Sequence, residues 1–296
     1  MYVSQMVRRT ELYFHRLWES SSLSRCVIDA GQDLKMLPFW IIAEILYGRL
    51  TQVMENELQD MVPLREGLFR YFLRGGLTRY AWSRYLPTTA NRELAEFKTR
   101  WRAFNGLARD QAHTTAPVTA CYYAVDEESI EEESILETLD ETLFANLDVT
   151  LGGISWNLVF LAAHPDVQSR LRQDISIETE KTDGLNTYLL RSDTLVSACI
   201  SESSRHRTNF IVDSYALNQR NNYWGKDAVQ YRPDRFLEQS AVKDRYNFWR
   251  FGFGPRQCME KYVADLMIRV LLVHLVINYE LGMLDENKDW GKDPAN

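Results

Sequence analysis

Between Asn91 and Gln111 the apolar positions recur at intervals of three and four, the spacing of an amphipathic helix. The opening segment, Met1–Ser20, has the same character, and breakers at Gly31, Pro38, Gly48, Pro63, Gly75–Gly76 and Pro87 divide the first 120 residues into further helical stretches. The acidic run Asp126–Glu133 suits a solvated helix N-terminus, where carboxylates meet the positive end of the dipole. From Glu133 to His164 the pattern predicts one long helix of roughly 45 Å, ended where His164 precedes Pro165. Shorter helices are expected at Asp166–Ile175 and Asp193–His206, then an extended stretch, Asn209–Leu217. A loop rich in Asn, Arg and Trp follows, and a glycine-rich loop feeds a hydrophobic helix, Lys261–Tyr279. The expected fold class is therefore mainly α, without internal repeats.

Composition narrows the function classes. With 45% hydrophobic and 25% charged residues, the 296-residue chain is ordinary for a soluble globular protein. A net charge of −7 gives no footprint for nucleic acid. Cys26, Cys121, Cys199 and Cys258 lie far apart with no CxxC pair, so neither a disulfide framework nor a zinc site is expected, and a reducing compartment fits. Cys26, Cys121 and Cys199 read as small buried hydrophobes. The longest apolar stretches, Met36–Tyr47 and Val270–Ile277, fall short of the roughly 20 residues a transmembrane helix needs. No signal peptide is evident, and the chain begins as if already inside a domain.

The chemistry concentrates in Phe251-Gly252-Phe253-Gly254-Pro255-Arg256-Gln257-Cys258. Gly252 and Gly254 permit backbone conformations closed to other residues and a close approach to a flat ligand, while Pro255 stiffens the turn. Cys258 stands just ahead of a helix, whose dipole and free amides favour thiolate. Arg256 supplies a permanent cation suited to a carboxylate. This loop resembles the cytochrome P450 signature Phe-x-x-Gly-x-Arg-x-Cys-x-Gly at every place but the last, where Glu260 stands for glycine. The resemblance implies haem b, with Cys258 as axial thiolate to the iron, Phe251 against the ring, Gly254 in the turn and Arg256 toward a propionate. A thiolate so placed pushes electron density that favours O–O cleavage. The family's glycine lets the helix lie close to the porphyrin, so Glu260 bears on how tightly haem is held.

Three further motifs fall in the family's order, extending the resemblance over residues 135–280. Glu202-Ser203-Ser204-Arg205 resembles the Glu-x-x-Arg pair, one helix face at i,i+3 spacing. Tyr231-Arg232-Pro233-Asp234-Arg235-Phe236 resembles the Pro-Glu-Arg-Phe segment, whose arginine joins the same cluster. Glu202, Arg205 and Arg235 are thus expected to form a structural cluster serving folding and haem retention. Ala145-Asn146-Leu147-Asp148-Val149-Thr150 falls on the oxygen-activation helix. Asp148 matches the acid that helps deliver protons to dioxygen. Val149 replaces the relay threonine, Thr150 lies about 100° further round the helix, and Asn146 replaces the small residue of the oxygen groove.

Several family features are missing. No Trp-x-x-x-Arg helix precedes residue 120, the strands after Arg205 are shortened, and the last strands are absent, so the chain reads as a truncated P450 fold. It is taken as a single partial domain over 1–296, helical up to 125 and bearing the signature motifs over 126–296. The wording of Asn218-Gln219-Arg220-Asn221-Asn222-Tyr223-Trp224-Gly225 is similar to fungal P450s of secondary metabolism, among them those acting on cyclic dipeptides in gliotoxin-like toxin pathways. The resemblance implies a monooxygenase acting on a small organic substrate, with an NADPH-cytochrome P450 reductase as partner. The family sits on the cytosolic face of the endoplasmic reticulum; without an anchor, this chain is expected in the cytoplasm. Two other readings stay open at this point: a remnant of the fold that does not retain haem, and a cofactor-free helical interaction module.

Overall fold

The computed structural model describes residues 2–111, 116–147, 149–181, 183–206, 216–238, 247–252, 254 and 257–283. Among them all regular structure is helical. The chain divides into two compact units, one of residues 1–38 and 148–296, the other of 39–147.

The first unit is organised around its last helix, labelled α13 (Lys261–Asn278), whose Met267, Val270, Leu271, Leu272 and Val276 are buried. Helix α1 (Tyr2–Ser20) lies against it with Val3, Met6, Phe14 and Leu17 turned inward, the amphipathic face expected from sequence. Helices α8 (Val149–Ala163), α9 (Pro165–Thr179), α10 (Gly184–Leu190) and α11 (Leu195–His206) also pack on α13. The close approach of α8 uses Gly153, where a Cβ would already touch Ile268 Cδ1 at 3.5 Å. A helix end leaves carbonyls without partners. Here α9 meets them: Arg172 Nε donates to Val276 O at 2.8 Å and Nη2 to Tyr279 O at 2.7 Å.

His274 of α13 packs against Phe14 of α1 with the rings tilted, centroids 4.8 Å apart, and burial lowers its pKa. The unfolded chain therefore takes up a proton near the ordinary histidine value while the folded chain does not. Stability from this site is complete above that value and is lost as pH falls through it toward the depressed folded pKa. Urea midpoints measured down the acid limb should drop more steeply for the native sequence than for His274→Phe. Parallel curves would show that His274 takes no part.

In the second unit, α3 (Met36–Tyr47), α4 (Gln52–Arg74), α5 (Thr89–Gln111), α6 (Pro117–Asp126) and α7 (Glu132–Phe144) surround an aromatic core. Trp101 stands 5.6 Å from Phe104 and from Phe144, and Tyr47 meets Phe104 edge-on at 5.1 Å. Two polar tips in this core are paired. Tyr47 Oη donates to Asn105 Oδ1 at 3.0 Å and Trp101 Nε1 to Leu136 O at 2.8 Å. The acidic run ends as expected, with Glu132 and Glu133 in the first turn of α7.

Two expectations change. Pro63 does not end a helix: α4 runs through it. Pro63 and Gln59, whose carbonyl loses its i+4 donor, are both exposed, so water can take that donor's place. The long helix over 133–164 is interrupted, since α7 stops at Phe144, Ala145–Leu147 wind as a 3₁₀ turn and α8 begins at Val149. Asn146 is buried, and its Nδ2 donates to Thr142 O at 2.7 Å, the carbonyl that the α-helical ladder reserves for its own amide. The run Glu132–Ala163 is apolar enough by composition to pass for a membrane span, but it is divided at Ala145–Leu147 and 56% of its most apolar window is buried inside the protein.

Candidate active site

The side chains of Glu202, Arg205 and Arg235 meet in the interior, none of them more than 1% exposed. Helix α11 puts Glu202 and Arg205 one turn apart on its buried face; the short helix α12 (Arg235–Glu238) brings Arg235 to them. Arg205 grips the carboxylate with both edges of its fork, Nη2 to Oε1 at 2.7 Å and Nε to Oε2 at 3.1 Å. Arg235 Nε lies 3.0 Å from Oε2, and the Arg232 amide donates to Oε1 at 3.0 Å. Two cations on one anion leave an excess positive charge, which carbonyl oxygens absorb. Arg205 Nη1 donates to Asn218 O at 2.9 Å, and Arg235 Nη2 to Asp227 O and Gln230 O at 3.0 Å each. The Arg205 guanidinium also faces the Trp224 ring at 5.2 Å. Burial lowers the Arg235 pKa.

Tyr231 docks the same segment on α8 and α11. Its ring stacks on Phe160 at 5.0 Å and 4°, and its hydroxyl donates to Cys199 O at 3.3 Å. Arg170 of α9 closes a bidentate pair with Asp234 at 2.6 and 2.9 Å. The segment 231–236 is thereby fixed to three helices.

The glycine-rich loop turns back on itself. Gly252 and Gly254 have φ of 76° and 67°, a region that costs a side-chain-bearing residue but not glycine. These turns bring Phe251 O to the Cys258 amide, which donates to it at 2.9 Å, and the Gln257 amide to Gly254 O at 3.0 Å. Phe251 is half-buried, and Cys258 is exposed immediately ahead of α13, beside bare Met259 and Tyr262. Glu260 occupies the N-cap of α13 without capping its amides. The loop's base is held by ion pairs that sequence reading did not single out. Arg250 Nη1 lies 2.6 Å from Asp265 Oδ1, and Asp265 in turn pairs with Arg269 one turn along α13.

A flat, metal-bearing ring fits this site by its donor chemistry. A soft sulfur donor is exposed on a loop closed by its own backbone, with apolar Met259 and Tyr262 beside it. A Cβ added at Gly254 would meet nothing within 4 Å, so the turn leaves open space on that side.

Thr150 is buried in the first turn of α8. Asp148 and Arg256 lie outside the described residues, as does the extended stretch up to residue 215; Ala216 and Leu217 belong instead to a π-helical turn, Ala216–Arg220. Of the other cysteines, Cys199 is fully buried as expected, with its thiol pKa pushed up to about 12 by burial, and Cys121 is half-buried. Cys26 departs from expectation: it is exposed, in the left-handed conformation that closes a 3₁₀ turn.

Known proteins resemble this chain in sequence and fold. The family model described as Cytochrome P450 matches residues 2–208 and 205–296. Cytochrome P450 monooxygenase aclC of Aspergillus oryzae is 49% identical, the match covering 99% of this chain and 66% of that protein. Cytochrome P450 monooxygenase asaD of Aspergillus flavus is 44% identical over 99% of this chain and 62% of its own. Cytochrome P450 monooxygenase gliC of Aspergillus fumigatus is 32% identical over 86% and 56%. The chain thus spans less than two thirds of the length of these curated relatives. A zebrafish cytochrome P450 solved with progesterone superposes with a TM-score of 0.68 at 17% identity, covering 93% of this chain and 70% of that one.

Proposed function

Because the chain belongs to the cytochrome P450 family, we propose that it is the haem-thiolate part of a fungal monooxygenase acting on a small secondary metabolite. The observation that carries this reading is an exposed Cys258 on a loop folded by positive-φ glycines and closed from its amide to Phe251 O. Haem b, when bound, supplies the activation of dioxygen. Cys258 would hold its iron as thiolate, Phe251 and Gly254 would shape the surface against the ring, and Arg256 would neutralise a propionate. The Glu202–Arg205–Arg235 cluster would steady the scaffold that carries the loop, to which it is joined by the Arg205–Asn218 and Asn218–Trp249 hydrogen bonds. Thr150 and Asp148 are assigned to proton delivery, Thr150 from its buried place at the start of α8 and Asp148 from its place in the motif. A cyclic dipeptide is the substrate class proposed on family likeness. The electrons would come from an NADPH-cytochrome P450 reductase at the endoplasmic-reticulum membrane.

One observation favours a second reading, a remnant that does not retain haem. Glu260, half-buried at the N-cap of α13, stands two residues from Cys258, where the family has glycine. Haem titration of the purified chain and of Glu260→Gly decides between them. Stoichiometric uptake by both, tighter in Glu260→Gly, is expected. No uptake by the native chain with full uptake by Glu260→Gly would establish the remnant reading.

A further inference from the structure

We infer that Asn218 is a positioning residue for the Cys258 loop, carrying the constraint of the buried ion cluster to the backbone that presents the thiol. The inference rests on the thiolate reading only for its consequence; the geometry stands by itself.

Asn218 is 1% exposed, so every polar atom it buries must find a partner. Its carbonyl accepts from Arg205 Nη1 at 2.9 Å, which ties its backbone to the cluster. Its side chain turns the other way and pairs with a single residue. Nδ2 donates to Trp249 O at 2.9 Å, and Oδ1 accepts from the Trp249 amide at 2.8 Å. This two-way pairing is what a neighbouring strand would offer, supplied here by one carboxamide. Among side chains of this length only asparagine both donates and accepts in one plane; an ionised aspartate only accepts.

Trp249 is followed by Arg250, held by Asp265 of α13, and then by Phe251, whose carbonyl receives the Cys258 amide. The path from Glu202 through Arg205, Asn218 and Trp249 to Phe251 and Cys258 is thus hydrogen-bonded except for two covalent steps. A second tie, Asn221 Nδ2 to Asn247 Oδ1 at 3.0 Å, joins the same two segments. It keeps them together when Asn218 is changed, so the loss is one of placement rather than of fold.

The test reads amide hydrogen exchange of Trp249 and Cys258 in the haem-free chain, labelled at Trp, Cys and Leu, with Leu272 in the core of α13 as reference. Asn218→Ala should speed exchange at Trp249 on the order of tenfold, the worth of a lost buried hydrogen bond. It should also speed exchange at Cys258 while Leu272 stays unchanged. Asn218→Asp, which keeps the acceptor for the Trp249 amide and loses only the donor, should leave Trp249 protected and still speed Cys258. After haem addition, the carbonyl spectrum of the reduced Asn218→Ala chain should shift from the red-shifted thiolate band toward the shorter-wavelength band at equal haem content. Faster exchange at Trp249 with Cys258 unmoved in both variants would overturn the coupling. A proportional rise at all three amides would overturn it too, since that is general destabilisation. If the native chain takes up no haem, the functional reading fails while the exchange result still decides the role of Asn218.

Discussion

Glu202→Ala is expected to destabilise the first unit by about 3–5 kcal/mol, seen as a fall in the urea midpoint without a change in slope. The carboxylate pairs with both Arg205 and Arg235, at 2.7 and 3.0 Å, and all three side chains are excluded from solvent. Removing it leaves two buried guanidiniums without their shared counter-charge, facing backbone carbonyl oxygens, with Asp227 3.7 Å from Arg235. Solvent cannot screen their repulsion, in contrast to the exposed pair Arg109–Asp126, whose loss should cost well under about 1 kcal/mol. Glu202→Gln keeps an acceptor but not the charge, and should lie between the native chain and Glu202→Ala. The pairwise part is isolated by a double-mutant cycle on Glu202 and Arg235. A coupling energy indistinguishable from zero would place the two groups in separate environments and refute the cluster.

How much of this was legible in the sequence depends on the kind of interaction. The cluster was legible because two short motifs name its charged members, and because i,i+3 spacing already sets Glu202 and Arg205 on one helix face. The Cys258 turn was legible for a similar reason: its glycines mark where φ must be positive, and they are positive at Gly252 and Gly254. The break between α7 and α8 was not legible, because a buried asparagine that bonds its own i−4 carbonyl leaves the hydrophobic pattern intact on both sides. Pro63 misled in the other direction, since whether proline stops a helix depends on exposure of the i−4 carbonyl. The tie from Asn218 to Trp249 spans 31 residues and works through main-chain atoms on one side. Only its asparagine end could have been picked out, from the run Asn218–Gly225. The same holds for Arg250 with Asp265 and Arg269, which sequence reading leaves as ordinary charges on a loop and a helix.

Cys258→Ala should remove any thiolate-type carbonyl band from the haem-loaded chain while leaving its unfolding midpoint within about 0.5 kcal/mol of the native value. The second half follows from exposure: Cys258 packs against little, and its contribution to the loop is the backbone bond to Phe251 O, which alanine keeps. The first half follows from what the other cysteines can do. The thiolate is the ligand form, and burial holds the Cys199 thiol near a pKa of about 12, far above any working pH. Burial also raises Cys121, in the other unit. Cys26 is exposed but closes a 3₁₀ turn in a left-handed conformation, with no glycine-rich loop around it. Neither substitution nor rearrangement offers the iron a second thiolate, so the effect is the loss of a band rather than a shift in its intensity. The measurement compares reduced, carbon-monoxide-treated native and Cys258→Ala chains at matched haem content. Persistence of the red-shifted band in Cys258→Ala would move the ligand elsewhere and with it the whole assignment of the loop.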